Sequence, residues 1–318
     1  MKAPRLFQDE SDLSAMCEVL EQGRMADNGT YYIHTGDLKW WLYYPPLEGD
    51  LWHHIYLWDN PDTPGRLLGW ALISPDWVGI DVYIQPELRG SHLARNMYLW
   101  AEAQATLTAR QNGRLSIHSL WVSHDDDFLV EHYHLQGFRL RSGITHMVRN
   151  LDEDLPAVRS MDGFILRSCN GRMEVSQRAL AQHGAFGSKV PFAQYQTRFE
   201  KFMHSPAYQP ELDIVAVSQD GQIGSFAIVW MDKKNKVGLF EPVGTHPDFQ
   251  RKGLGRAVVQ KGLHLLQGCG MHKAIVSTYD DNLPAIDFYK SVGFQPAKRL
   301  GTFEKDVSHG EGKIYGSI

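Results

Sequence analysis

The sequence predicts an α/β (α+β) fold built as two tandem domains. Three observations carry that expectation. The chain has 318 residues, which is about two domains by length. A strand, loop and helix pattern near the C-terminus has a worn counterpart in the first half. Between the halves, "RNLDEDLPAVRSMDG" (Arg149 to Gly163) is charged and contains Pro156, as a linker would. The expected domains are 1–150 and 160–318.

In the second half, "VGLFEPVGT" (Val237 to Thr245) alternates like a strand, with Val237, Leu239, Glu241 and Val243 on one side. Pro242 inside it marks an edge or a bulge, where sheet pairing is interrupted. After a turn at Pro247, the spacing of Leu254, Ala257, Val258 and Leu265 fits one helix face. Gly253 and Gly255 therefore stand at a strand-to-helix junction, flanked by Arg251, Lys252 and Arg256. A first helical turn has unpaired N–H groups and the positive dipole end, and glycine admits a ligand close to the backbone. The combination suits an anion, most often phosphate. The alternative is a tight turn whose glycines only permit close packing. A Lys-Ser or Lys-Thr after the last glycine, or a third glycine at Val258, would point to other nucleotide loops; neither is present. Further on, "DNLPAIDFYKSVGF" places Asn282 at a helix N-cap, Pro284 in the first turn, Tyr289 on the helix and Gly293 at its end.

The first half repeats this order. "VYIQPELRGSHLARNMYLW" (Val82 to Trp100) aligns with "VGTHPDFQRKGLGRAVVQK", setting Pro86 on Pro247, Arg89 on Gln250 and Ala94 on Gly255. "HDDDFLVEHYHLQGF" (His124 to Phe138) sets Tyr133 on Tyr289. "IYLWDNPDTPGRLLGWALI" parallels "IVAVSQDGQIGSFAIVW" as strand, turn and strand. In the copy, His92 stands at Gly253 and Asp126 at Asn282, so a ring enters the tight loop and a negative charge comes near the ligand. These departures put a bound cofactor in the first half in doubt. Asp125-Asp126-Asp127 also reads simply as negative charge at a helix N-terminus.

Gln250-x-x-Gly253-x-Gly255, followed by Asn282 and by Tyr289 before "VGF", resembles the acetyl-CoA signature of the GNAT superfamily of acyl-CoA-dependent N-acyltransferases. The resemblance spans roughly Gly163 to the C-terminus, and the two motifs in this order are specific together. It implies tandem GNAT domains, each a mixed twisted sheet flanked by helices, with a catalytic C-terminal and a degenerate N-terminal domain. Tandem members of the superfamily share that architecture. The implied co-substrate is acetyl-CoA. Its pyrophosphate would lie on the loop amides from Gln250 through Gly253, Leu254 and Gly255, with Arg251, Lys252 and Arg256 adding positive charge around it, and Asn282 would border the ligand. Its pantetheine would pair with the backbone of Val243, Gly244 and Thr245. Tyr289 would protonate the leaving thiolate. Glu241 is a candidate base for the amine, directly or through water, or else a plain strand-edge carboxylate. The acceptor would enter over Val190 to Tyr208, where Tyr195, Phe199 and Phe202 either line a pocket or fill core. A cysteinyl amine is one acceptor within that reading.

Composition bounds the partners. There are 32 basic and 37 acidic residues, a net charge of −5, which argues against a nucleic-acid or acidic-membrane surface. Cys17, Cys169 and Cys269 are isolated, which suggests a reducing compartment and no structural zinc. "MKAPRLFQDESD" turns acidic at once and no apolar run spans a bilayer, so the cytoplasm is expected. His53-His54 would point to opposite sides of a strand, and His132 and His134 sit two apart on a helix, so no metal is expected. Eight of the nine tryptophans lie in the first half, including Trp40-Trp41 and Trp52; they read as core filling or as an aromatic wall. Two fused halves can stand in for a dimer, so a monomer is expected. The partner is then a small-molecule or peptide amine. The rival reading is a binding module that senses acyl-CoA without turnover, and a retained Tyr289 weighs against it.

Overall fold

A computed structural model describes residues 3–26, 32–44 and 51–308. Its first half runs β1 (Arg5–Leu6), α1 (Glu10–Ala26), α2 (Thr35–Tyr43), β2 (Ile55–Asp59), β3 (Leu67–Ile73), β4 (Gly79–Ile84), α3 (His92–Gln111), β5 (Ser116–Ser123), α4 (Asp127–Leu135) and β6 (Arg139–Asn150). The second half runs β7 (Phe164–Ser168), α5 (Val175–Ala185), α6 (Phe192–Met203), β8 (Asp213–Ser218), β9 (Ile223–Asp232), β10 (Val237–Thr245), α7 (Leu254–Gly268), β11 (Lys273–Tyr279), α8 (Leu283–Ser291) and β12 (Gln295–Asp306). His53 and His54 close a 3-10 turn and not a strand, so the expected opposite-face geometry does not apply to them.

The chain folds as two compact units that do not divide at a single point. One comprises Met1–Gly23, Pro46–Ile144 and Arg299–Ile318; the other comprises Arg24–Pro45 and Thr145–Lys298. The contiguous spans 1–150 and 160–318 set beside these units place the end of β6 and two longer segments, Arg24–Pro45 and Arg299–Ile318, differently. Packing explains the two longer ones. Helix α2 lies on β9 and β10, and β12 pairs antiparallel with β5 from Leu300↔Ser123 to Asp306↔Ser116. Neither contact has a local sequence signal.

In the first unit β1, β2, β3 and β4 pair antiparallel, and β4 meets β5 in parallel at only two residue pairs. Helix α3 presents Ala94, Ala101, Ala105 and Ala109 to the core, small side chains that let it lie close to the sheet. Trp58, Met97, Tyr133 and Phe138 complete that core.

In the second unit β7, β8, β9 and β10 pair antiparallel, β10 meets β11 in parallel, and β6 follows β11 in the strand order. One core gathers Phe240, Leu254, Val258, Leu263, Tyr289 and Phe294, and so involves α7 and α8. The other gathers Tyr195, Phe199, Phe202, Phe226 and Leu239, and so involves α6. The apolar period read for α7 holds: Leu254, Ala257 and Val258 are buried and Leu265 is half-buried.

Candidate active site

The site grows from the end of β10. Register with β9 shifts between Phe240↔Val229 and Val243↔Ala227, so one extra residue stands at Glu241-Pro242. The bulge flips the strand's parity. Val237 and Leu239 belong to the core on one face, whereas Val243 packs with Phe240 on the other. The expected single-sided run Val237, Leu239, Glu241, Val243 is therefore corrected: Val243 leaves the face that Val237 and Leu239 occupy. Trp230 fixes the bulge by donating from Nε1 to the Glu241 carbonyl at 2.6 Å.

Parallel pairing of β10 with β11 stops at Leu239↔Ile275. Beyond it, β10 runs on to Thr245 against β9, and among the described residues no strand pairs with its other edge. Gly244 is held tightly: a Cβ there would stand 2.5 Å from the Phe226 ring and 2.8 Å from Ala185. Ser225 Oγ donates to the Gly244 carbonyl at 2.9 Å and meets Thr245 Oγ1 at 2.9 Å.

A 3-10 turn (Pro247–Phe249) leads into the loop. Arg251 and Gly253 take left-handed φ of 64° and 80°. Gly253 is the N-cap of α7 and supplies no side chain to its first-turn amides. Gly255 serves packing as well, since a Cβ there would stand 3.1 Å from Thr245 Oγ1. Other expected ligand groups have internal partners. Gln250 Nε2 donates to the Thr245 carbonyl at 3.4 Å, and Lys252 Nζ lies 5.0 Å from the Phe249 ring centroid. Arg256 donates to the Ser291 carbonyl at 2.8 Å and to Ser291 Oγ at 3.0 Å, so it satisfies the end of α8. Asn282 Oδ1 accepts from Ala285 N at 3.3 Å as the N-cap of α8.

Tyr289 is buried, and its side chain makes no hydrogen bond among the described residues. Burial, and the nearby Glu241 carboxylate, push its phenol pKa up. Glu241 is partly accessible at the surface. Dense packing around its carboxyl, and then the Asp37 carboxylate, push its pKa up to about 8.

Asp37 went unread in the sequence. It reaches this site because α2 packs on β9 and β10. Its Oδ2 accepts from His34 N at 2.7 Å, and burial raises its pKa to about 6. His34 caps α2 through Nδ1, which accepts from Gly36 N at 2.9 Å, and so Nε2 donates to the Val237 carbonyl at 3.1 Å. Burial holds that imidazole neutral by lowering its pKa. Trp40 stacks on Tyr44 at 4.6 Å and meets Phe202 edge-on at 4.7 Å. Tyr195, Phe199 and Phe202 are 6%, 0% and 0% exposed, so they fill core beneath this surface. Asp37, Trp40 and Tyr44 stand some 200 positions before Glu241. Only the aromatic excess hinted that the segment has work beyond its own half. Among the described residues, no group of three His, Cys, Asp or Glu could hold a metal, and no helix is long and apolar enough to cross a membrane.

Residues 182–294 match the acetyltransferase (GNAT) family. The chain is 30% identical over 148 residues to the mycothiol acetyltransferase of Thermobifida fusca, covering 43% of this chain and 42% of that relative. It is 27% identical over 265 residues to the mycothiol acetyltransferase of Pseudarthrobacter chlorophenolicus, covering 74% and 73%. Among solved structures, a GCN5-related N-acetyltransferase from Sphaerobacter thermophilus superposes with a TM-score of 0.65 at 19% identity, over 96% of each chain. A tandem GNAT protein from the clavulanic acid biosynthesis pathway superposes with a TM-score of 0.68 at 15% identity, over 97% of this chain and 99% of that one. These two likenesses show the fold.

Proposed function

We propose that this chain, an acyltransferase of the GNAT family, moves an acetyl group from acetyl-CoA to a primary amine, with the chemistry in the second unit. The observation that supports this most is the open edge of β10 beyond Leu239, which ends at the uncapped first turn of α7. Pantetheine is an amide chain, and the Val243 to Thr245 backbone offers it strand-like pairing. The amides of Gly253, Leu254 and Gly255 then receive the pyrophosphate. The side chains of Gln250 and Lys252 shape this loop, Arg256 and Asn282 hold the two ends of α8 beside it, and Arg251 adds exposed charge.

Holding the donor and the amine together supplies much of the rate. A neutral amine must attack the thioester carbon. Glu241 takes its proton, directly or through one water. With its pKa near 8 the carboxylate is a stronger base than an exposed one, though only a minority is ionised at neutral pH. Asp37 beside it keeps that proton affinity high. As the tetrahedral intermediate collapses, Tyr289 donates its phenolic proton to the coenzyme sulfur. Its raised pKa keeps that proton in place through neutral and mildly alkaline pH.

A narrower reading is acetylation of a cysteinyl amine. The similarity to mycothiol acetyltransferases over 74% of the chain favours it. The test is coenzyme thiol release from acetyl-CoA across a panel of cysteinyl glycosides, polyamines, amino acids and peptide N-termini. Amine-dependent release is expected, strongest with the cysteinyl compounds if the narrower reading holds. Binding of acetyl-CoA with no amine-dependent release across the panel would mean a sensor and not an enzyme.

A further inference from the structure

Past Leu239↔Ile275, where β10 and β11 part, each strand carries one polar residue on the same face of the sheet. Ile275 shares a core with Leu239 and α6, whereas Val276 belongs to the core with α7 and α8. Strand alternation therefore puts Ser277 on the Ile275 face, two positions past the last pair. Glu241 stands two positions past Leu239, before register with β9 resumes at Val243, and beside Asp37 of α2. The two residues thus border the gap from opposite strands, on the face that α2 and α6 cover.

Ser277 is held from behind. Strand β6 neighbours β11, and His146 Nδ1 meets Ser277 Oγ at 3.0 Å. His146 is 4% exposed; burial, and then Arg24 and Lys298, push its pKa down to about 3, so the ring is neutral at working pH. Its Nε2 is buried and has no partner among the described residues. A neutral imidazole carries one proton. On Nε2 that proton would make a buried N–H without an acceptor, the rarest kind of orphan. On Nδ1 it has an acceptor in Ser277 Oγ. The ring therefore donates from Nδ1, and Ser277 keeps its own O–H to give. That hydroxyl is half-buried and makes no other side-chain hydrogen bond among the described residues.

The two sides of the gap make complementary demands. Glu241 on one side takes an N–H, and Ser277 on the other gives an O–H. A substrate meets both when an acceptor oxygen stands close to its amine. A plain alkylamine or polyamine offers no such oxygen, and a site built around a hydrogen bond discriminates against the analogue that lacks it. We propose that Ser277, positioned by His146, selects acceptors of the 2-amino carbonyl class, with the carbonyl on the carbon that bears the amine. This selectivity rests on the proposed function and narrows its acceptor.

The experiment is acetyl transfer by the full chain, with product read by mass spectrometry, on two matched pairs: alaninamide against isopropylamine, and cysteinamide against cysteamine. The amines differ in basicity, so the readout is the change in each pair's kcat/KM ratio on substitution, in which basicity cancels. Ser277→Ala should lower the ratio about 3- to 10-fold, through a higher KM for the carboxamide. His146→Leu should lower it as well, and His146→Asn, whose amide keeps a donor near the place of Nδ1, should largely retain it. Thermal melts verify the folds, and Ser277→Ala alone decides the matter if a His146 variant does not fold. An unchanged ratio in Ser277→Ala overturns the proposal, as does an equal loss for both members of each pair, which a merely structural role would give. A parental ratio in folded His146→Leu overturns the positioning by His146. No turnover of either carboxamide by the parent also overturns the selectivity. Turnover of other amines then leaves the proposed function standing, and no turnover of any amine removes both.

Discussion

Two helices in this chain begin after the same turn, and they differ in what meets their first amides. The turns before them, Pro86–Leu88 and Pro247–Phe249, are both 3-10. In the second unit the N-cap of α7 is Gly253, which offers no side chain. In the first unit the N-cap of α3 is Ser91, whose Oγ accepts from Ala94 N at 3.1 Å. The strands before them differ too. Gly244 becomes Tyr83, whose hydroxyl accepts from Arg89 Nη2 at 2.9 Å. The β10 bulge has no counterpart, since β4 pairs with β3 in unbroken register from Gly69↔Ile84 to Ile73↔Ile80. Tyr133, aligned with Tyr289, accepts a hydrogen bond from Ser119 Oγ at 2.8 Å. A first-turn amide, the strand end and the tyrosine hydroxyl, which could face a ligand in the second unit, each have an internal partner in the first. The fold of a binding site survives its loss because those partners satisfy the same backbone and hydroxyl groups.

The comparison breaks most readily at Glu241, whose counterpart in the unbulged β4 is the buried Asp81, opposite Leu72. Glu241→Gln keeps the shape and removes the base. We expect kcat to fall by about 10²–10⁴-fold with acetyl-CoA affinity retained. In the parent, kcat should rise with pH through about 8 as Glu241 ionises, and the variant should lose that limb. Stability carries the opposite sign. An unfolded Glu titrates near 4.3, so between about 4.5 and 8 the native state binds more protons, and stability falls as pH rises. Glu241→Gln should therefore melt higher than the parent at pH 9 and close to it at pH 5. Equal melting temperatures at pH 9 would refute the raised pKa.

The loop is the next test. Gly253→Val places a β-branched residue at φ 80°, with its Cβ 3.1 Å from the Met161 methyl. The loop must shift, and acetyl-CoA affinity should drop on the order of 100-fold. His92→Gly at the aligned position should create no coenzyme binding by the first unit. Calorimetry on the full chain counts the sites, and a second site in His92→Gly would contradict the internal filling described above.

His92 also shows how far sequence alone reached. The sequence suggested a ring forced into a tight loop. Instead α3 starts one residue earlier, His92 is its first helical residue, and of the two left-handed positions at Arg251 and Gly253 only the first keeps a counterpart, Gly90 at φ 79°. The repeat, the start of α7, the span of α8 and the N-cap at Asn282 were legible because each rests on local spacing. The bulge was half legible: Pro242 announced it, but the switched face of Val243 depends on register with β9. The exchange of Arg24–Pro45 into the second unit was illegible, because no residue of α2 signals that it will pack on β9 and β10. Asp37 was missed for the same reason. Arg256 had the right charge for a phosphate and turned out to hold the end of α8, a choice that only side-chain geometry makes.

A smaller effect is expected at Tyr289. Tyr289→Phe keeps the ring in its core and removes one proton donor. A coenzyme thiolate is a fair leaving group unaided, so kcat should fall by about 10–10²-fold, the low end of general-acid effects. Affinity and melting temperature should remain near the parent's, since the hydroxyl makes no hydrogen bond that would be lost. Tyr133→Phe should do the reverse. It breaks the Ser119 bond, at a cost of about 1 kcal/mol, and leaves turnover unchanged. Parental kcat in Tyr289→Phe at saturating acceptor would assign the proton to water or to another group.

The smallest effect sharpens the comparison most, because it tests the filled site directly. Ser91→Ala removes the cap of α3 and leaves the Ala94 amide without its acceptor. Loss of such a cap costs about 1 kcal/mol. In a unit of this size that lowers the melting temperature by about 2–4 °C. Turnover should not change, because α3 lies outside the proposed site. The variant also exposes the helix mouth that Gly253 leaves open in α7, so it asks whether one freed amide is enough for an anion. The answer should be no. Tyr83 and Arg89 still stand where Gly244 and Gln250 stand in the second unit, and their mutual hydrogen bond keeps the strand edge filled. One equivalent of acetyl-CoA should bind to Ser91→Ala, as to the parent. A second equivalent would mean that the serine alone keeps the first unit empty, and the difference between the two units would then reduce to a single hydroxyl.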